Sequence, residues 1–319
     1  MTIETLEATG VQEAPFYRPF GRLLKERFPF KVYKVTIDAG MTCPNIDGSV
    51  AEGGCTYCDN TSFSPAFREK DPLISRQIDA GVNFYQGRFK ADHFLAYFQT
   101  FSNTYAPVER LKKIYDRALK HPQIVGMSVG TRPDCIDREK LELIQGYVNE
   151  DPSRFVCIEY GMQTMHDQTA EAINRGHDHQ STVDACKLTR EVAPDVHLCL
   201  HIIVGLPGES REMMLESAEE CARLNPDSVK IHHCYVYRNT GLADDWRAGK
   251  YQALDFDEYV ELAADILERM PPHTYIQRMV GEINADGVLA PHWGKSKLQV
   301  MNAISNELAR RGTHQGWRF

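Results

Sequence analysis

Two alternating periodicities restrict the fold of this chain more than any other feature. Six short runs rich in β-branched and aromatic residues, at 31–38, 93–99, 124–129, 155–160, 197–204 and 228–234, read as strands. Between them, near 72–88, 107–120, 137–149, 179–192 and 210–224, apolar residues recur at helical spacing. Asp137 precedes the apolar stripe Leu141, Ile144, Tyr147 and Val148 and is expected to cap its helix; Ser181 with Asp184 suits a second capping pair. Strands separated by helices must return to the same end of the sheet, which predicts parallel neighbours joined by right-handed crossovers. An open doubly wound sheet and a partial or full (β/α) barrel both satisfy that pattern, so the fold class is α/β. In either, function is expected in the loops that follow the strands' C-terminal ends.

The 319 residues suffice for one large core, and 42% hydrophobic and 25% charged residues are ordinary for a globular protein. No apolar run reaches the length of a membrane span, and the start, Met1-Thr2-Ile3-Glu4, lacks the pattern of a secretory signal. Nine scattered cysteines do not suggest a disulfide framework, so a reducing cytoplasm is expected. The net charge of −8 argues weakly against nucleic acid, yet it is unevenly placed. Between Arg18 and Lys34 six basic residues face one acid, and from Ala290 to the end five face one. These are either two solvated faces or one basic strip for a polyanion, if folding brings the ends together.

Chemistry concentrates in the loop after the first strand. Cys55 and Cys58 form a C-x2-C pair, and Cys43 stands eleven residues before Cys55. Thiolates suit zinc and iron–sulfur clusters. Gly48, Gly53 and Gly54 let the excursion fold back and deliver the third thiol. No fourth ligand lies nearby, since the next cysteine is Cys135 and the nearest histidine His93. Structural zinc is normally closed by four protein ligands, so three thiols point to a metal centre with one position open. A zinc loop completed by a distant residue is the alternative.

This loop resembles that of the radical S-adenosylmethionine (radical SAM) superfamily, in the long-spaced form of the elongator catalytic subunit and its bacterial single-domain relatives. Further segments are similar to that group: Gly130-Thr131-Arg132-Pro133-Asp134 after the third strand, Asn174-Arg175-Gly176-His177 after the fourth, and Gly205-Leu206-Pro207-Gly208 after the fifth. The resemblance implies a partial (β/α)6 TIM-like barrel with N- and C-terminal extensions. Residues 1–30 would form the first extension, 31–240 the core, and 241–319 a region covering substrate. It implies one oxygen-sensitive 4Fe–4S cluster on Cys43, Cys55 and Cys58. S-adenosylmethionine on the fourth iron would be cleaved to a 5′-deoxyadenosyl radical, with the electron supplied by a low-potential donor such as flavodoxin or ferredoxin. Tyr57 would lie near the adenine. Gln99, Thr100 and Asn103 would serve the methionine amino group, although the usual Gly-Gly-Glu is absent there. Thr131, Arg132, Glu159, Gln163, Arg175, Val204 and Gly205 complete the expected contacts, Arg175 as the grip on the methionine carboxylate. Glu159 alternatively satisfies an internal ion pair, because an isolated buried carboxylate is costly. Lys230, His232, Tyr237, Arg278, Trp293 and Lys295 are candidates to face substrate. Within the resembled group a tRNA substrate is implied, through carboxymethylaminomethyl-uridine processing at the wobble position. A small metabolite or protein substrate, or a non-catalytic zinc-binding module, are the competing functions.

Overall fold

The computed structural model describes residues 16–60, 73–281 and 285–319. All six expected strands form: β1 (Val32–Ile37), β2 (His93–Phe98), β3 (Ile124–Thr131), β4 (Phe155–Gln163), β5 (His197–Val204) and β6 (Ser228–His233). They lie side by side in chain order, each parallel to the next. Two pieces unforeseen in the sequence complete the strands. β7 (Val236–Tyr237) pairs antiparallel with β9 (Val288–Ala290), and β8 (Tyr275–Arg278) adds a seventh parallel strand beside β6. The sheet therefore runs β1-β2-β3-β4-β5-β6-β8, a curled half-barrel rather than a six-stranded one.

Five helices occupy the predicted intervals: α2 (Ile74–Phe89), α3 (Val108–Leu119), α4 (Arg138–Glu150), α6 (His179–Val192) and α7 (Arg211–Arg223). Before them lies α1 (Phe20–Arg27); α5 (Asp167–Ala172) follows β4; α8 (Gly241–Arg247), α9 (Phe256–Arg269) and α10 (Lys297–Arg311) close the chain. Asp137 caps α4 as expected, accepting from the Lys140 N–H. The cap of α6 is Asp178, not the Ser181/Asp184 pair. Asp178 accepts from both the N–H and the hydroxyl of Ser181, which sits inside the first turn.

Strand alternation sorts the side chains into two faces. One set, including Ile37, Phe98, Val129, Ile158, Leu200 and Ile231, packs outward under the helices. The other points into the barrel and stacks in layers. At the bottom Leu95, Phe155, Cys157, Cys199 and Tyr275 form an apolar plug with Phe20 of α1. Above them Lys34, Tyr97, Glu159, His201, Lys230 and Gln277 make a polar floor. Above that floor the interior opens.

The chain's two ends do meet, at the bottom of the barrel. The Arg18 N–H donates to Gln315 Oε1 at 2.8 Å, and Gln315 returns a backbone bond to the Phe16 carbonyl. They do not merge into one free basic strip. Arg310 and Arg311 are held by Glu307, Arg311 also by Asp265 and Glu268, and Arg318 by Glu268. No helix among the described residues is long and apolar enough to cross a membrane.

Candidate active site

Above the polar floor lies a cavity of about 250 Å³, and Cys43, Cys55 and Cys58 all line it. The loop carrying them is built by its own backbone. The Cys43 carbonyl accepts from the N–H groups of Ile46 and Asp47, Pro44 accepts from Val50, and Asn45 from Gly54 at 2.7 Å. Gly48, Gly53 and Gly54 adopt positive φ, the left-handed geometry the turns require.

A second turn clamps this loop from beside. Asn174 (φ 52°) donates from its side-chain amide to the carbonyls of Glu52 and Gly54 at 2.9 and 2.8 Å. Asn45 answers with a bond to the Asn174 carbonyl, and the Thr56 N–H reaches the Ile173 carbonyl at 2.9 Å. Gly176 (φ 73°) stands so close that a Cβ there would collide with Asn45 Oδ1. The Asn-Arg-Gly segment is thus a brace for the cysteine loop as well as the source of Arg175. Nothing in the sequence marked Asn45 for this role.

Electrostatics around the thiols is set by burial and two arginines. Burial raises the Cys43 thiol, and burial with the neighbouring Cys55 and Cys43 pushes Cys58 up to about 12; nearby guanidinium groups oppose both. Thiolate formation here therefore calls for a cation at the sulfurs. Arg175 places Nη1 3.7 Å from Cys55 Sγ and Nη2 2.6 Å from the Gly161 carbonyl, while its buried Nε has no partner. Gly161 permits this approach, since a Cβ there would stand 2.8 Å from Arg175 Nη2. Gln163 Oε1 is likewise buried and unpartnered. Arg132 is fully engaged, bidentate to Asp134 at 2.9 and 2.8 Å and bonded to the Arg175 carbonyl at 2.7 Å.

Of the remaining predicted residues, Tyr57, Gln99, Thr131, His232, Tyr237 and Arg278 line the cavity. Others do not. Asn103 lies beneath its loop, with its amide on the carbonyls of Thr100 and Gly130, and Thr100 is buried beside it. Gln99 and Phe101 face the cavity in their place. Val204 points outward into the helix-facing core, and by strand parity its neighbour Ile203, like His201, reaches the cavity. Gly205 belongs to a separate groove behind β5, where its carbonyl accepts from Tyr251 at 2.6 Å. Trp293 stacks behind the cavity wall on His233 and Tyr259, and Lys295 is exposed over Phe256.

Glu159 borders the cavity, but its carboxylate is consumed by an internal cluster. Lys34 donates to Oε1 at 3.0 Å, and Lys230 and His201 donate to Oε2. Lys230, 2% exposed, also bonds Tyr97 OH, so it supports the floor instead of facing substrate. Burial alone would raise Glu159; Lys230 and Lys34 outweigh it and hold the carboxyl well below the usual range. His201 is pushed down to about 4 by burial and by Lys230, so it is neutral near pH 7.

Among the described residues no three His, Cys, Asp or Glu side chains converge on one metal-ion position, which a closed zinc site would need. A cubane instead takes each thiolate at a separate iron. Three thiols on one cavity, with the orphaned Arg175 Nε and Gln163 Oε1 beside them, fit a cluster together with a polar ligand bearing charged groups.

Comparison with known proteins agrees with this geometry. Residues 49–221 match the family described as the Radical SAM superfamily, and residues 226–310 that described as the Radical_SAM C-terminal domain. The uncharacterised protein YtqA of Bacillus subtilis is 36% identical over 304 residues, covering 95% of this chain and 92% of that one. The tRNA uridine(34) acetyltransferase of Methanocaldococcus jannaschii is 28% identical over 196 residues, 59% of this chain and 34% of its own. Among solved structures, Methanocaldococcus infernus Elp3 lacking residues 1–46 superposes with a TM-score of 0.68 at 17% identity, over 89% of this chain and 64% of that one.

Proposed function

Because the chain belongs to the radical SAM superfamily, we propose that this enzyme acts on tRNA, at the side chain of a wobble uridine. It is a radical SAM enzyme whose cofactors are a 4Fe–4S cluster and S-adenosylmethionine. Held by the three thiols, the cluster would pass an electron from an external reductant to S-adenosylmethionine for its reductive cleavage.

The chain's own residues hold and orient. Cys43, Cys55 and Cys58 would bind the cluster, and the Asn174–Gly176 turn keeps their loop in place. Arg175 offers its unpartnered Nε, and Gln163 its Oε1, to the charged groups of a bound amino acid. Tyr57 and Ile203 give the cavity apolar contact for a purine.

The observation that carries the tRNA reading is the similarity to a tRNA uridine(34) acetyltransferase. Two features of the cavity support it. Phe101, His232, His233, Tyr235 and Tyr237 give it an aromatic wall suited to a heterocycle. Its floor sets Lys34 and Lys230 against one carboxylate, with His201 neutral. That charged floor suits a zwitterionic uridine substituent such as carboxymethylaminomethyl, whose carboxymethyl part would be removed. A reducing cytoplasm with a flavodoxin- or ferredoxin-like donor suits a chain whose nine cysteines are all free thiols. The net charge of −8 favours a second reading, a small-metabolite or protein substrate.

The test is anaerobic incubation with S-adenosylmethionine, reductant and bulk tRNA. Release of 5′-deoxyadenosine that depends on tRNA is expected. Release indifferent to tRNA, or wobble-uridine profiles unchanged on deletion of the gene, would overturn the tRNA reading and leave the enzyme class standing.

A further inference from the structure

We propose that α1, the start of β1 and the last turn of α2 form a face that binds the RNA backbone away from the cavity; the proposal rests on the tRNA reading above. Of the six basic residues between positions 18 and 34, the fold commits four. Arg18 and Arg22 pair with Glu26 at 3.7 and 2.7 Å, Lys34 pairs with Glu159, and Arg27 is held by the carbonyls of Pro152 and Arg154. Lys25 and Lys31 are left exposed, with no acidic partner among the described residues. They line a shallow groove with Leu24, Phe28, Phe30 and Tyr33.

Tyr33 carries the groove onto α2, where its ring stacks on Phe89 at 5.4 Å. Phe89 is 42% exposed and Phe84 51%. Arg88, which lies over the Phe89 ring, and Lys90 are also exposed and have no acidic partner among the described residues. The acids nearby are Glu26, already shared by two arginines, and Asp92, bonded to Gln86. Four cations thus share this face with the exposed rings of Phe84 and Phe89.

Charge complementarity selects the occupant. Phosphates meet Lys and Arg, and unstacked bases meet aromatic faces, so a polyanion with flat bases fits both components. A second copy of this chain would bring like charges together. An acidic electron-donor protein would dock at the wrong end: the face lies at the start of β1, while Cys43 follows its far end, about 20 Å along at roughly 3.3 Å per residue. RNA reaching from this face to the cavity spans that distance easily.

The test uses the full-length reconstituted enzyme and bulk tRNA, with affinity measured across a salt series. The triple variant Lys25→Gln/Lys31→Gln/Arg88→Gln is compared with Lys112→Gln/Lys113→Gln/Arg117→Gln on α3, which removes equal charge elsewhere. The first is expected to weaken binding tenfold or more and to make log K against log salt shallower by about two. The second should match wild type, and both should retain wild-type iron content and S-adenosylmethionine binding. Phe89→Ala should weaken binding with the salt slope unchanged. If wild type binds tRNA and the first variant binds equally well, this face is not the RNA site, although the tRNA reading stands. The face is equally ruled out as the RNA site if that variant instead slows reduction by flavodoxin. If wild type does not bind tRNA, both proposals fall.

Discussion

Glu159 shows how one buried carboxylate organises the barrel interior. It is fully buried, with two ammonium groups and a neutral imidazole on its two oxygens. Glu159→Gln leaves Lys34 and Lys230 facing each other without a counter-charge. We expect a loss of about 3–5 kcal/mol in a denaturant titration. Adding Lys230→Met should recover part of that loss, because it removes the charge left uncompensated. Arg175 is the second informative residue. Arg175→Gln removes the guanidinium from Cys55 Sγ and from the Gly161 carbonyl. The reconstituted variant should keep its iron yet bind S-adenosylmethionine about tenfold more weakly, the scale of one lost charge-assisted hydrogen bond. At this scale the sequence was legible in parts. Three thiols at unusual spacing were enough to foresee the loop. Which of two neighbouring residues faces inward was not: Val204 and Ile203 differ only in strand parity, and parity counts only once a neighbour such as His201 is known to point inside. For Glu159 the fold favours the internal ion pair because lysines from β1 and β6, distant in sequence, converge on it.

Among the elements, the turn after α5 carries the largest consequence for its size. Gly176→Ala would strain a left-handed backbone and push a methyl group into Asn45, which also contacts Cys55 Sγ at 3.5 Å. Its expected effect is on cluster loading: iron per chain after anaerobic reconstitution should fall severalfold while the helical circular-dichroism signal is retained. Undiminished iron content would show that the cysteine loop holds itself without the brace. The five interior helices were readable because each must bury one stripe against the sheet and show the other to water, a requirement written into spacing. β8 escaped notice because four residues are too few to display alternation, and Pro271 and Pro272 precede them closely. α1 starts at Phe20, whose role as a plug under Phe155 and His197 depends on tertiary packing alone.

For the molecule as a whole, the interior histidines set an acid limit. Burial pushes His197 and His201 each down to about 4, and His233 to about 3. In the unfolded chain each titrates near 6.5. Between about pH 6.5 and 4 the unfolded state therefore binds protons that the folded state refuses, and stability falls as pH falls through that window. Glu159 acts in the same direction at lower pH: its folded value is depressed, so its contribution is present above the unfolded carboxyl value of about 4.3 and is lost on further acidification. Thermal melts from pH 7.5 down to 4 should fall steadily, with most of the loss below 6.5. A flat profile to pH 5 would show that these rings take up protons in the native state.

Among the described residues the strands do not join into a ring. β1 and β8 are the two margins of the sheet; low in the barrel Lys34 Nζ of β1 reaches Gln277 Oε1 of β8 at 3.0 Å, and the segment before α1 holds β8 through the Ile276 N–H to the Arg18 carbonyl at 2.8 Å. A hoop cut on one side and clasped at its foot has a fixed base and a compliant rim. Its upper aperture can widen by splaying those margins without rupturing any ladder between strands. One barrel can thereby admit guests of unequal girth while the charged floor keeps its place.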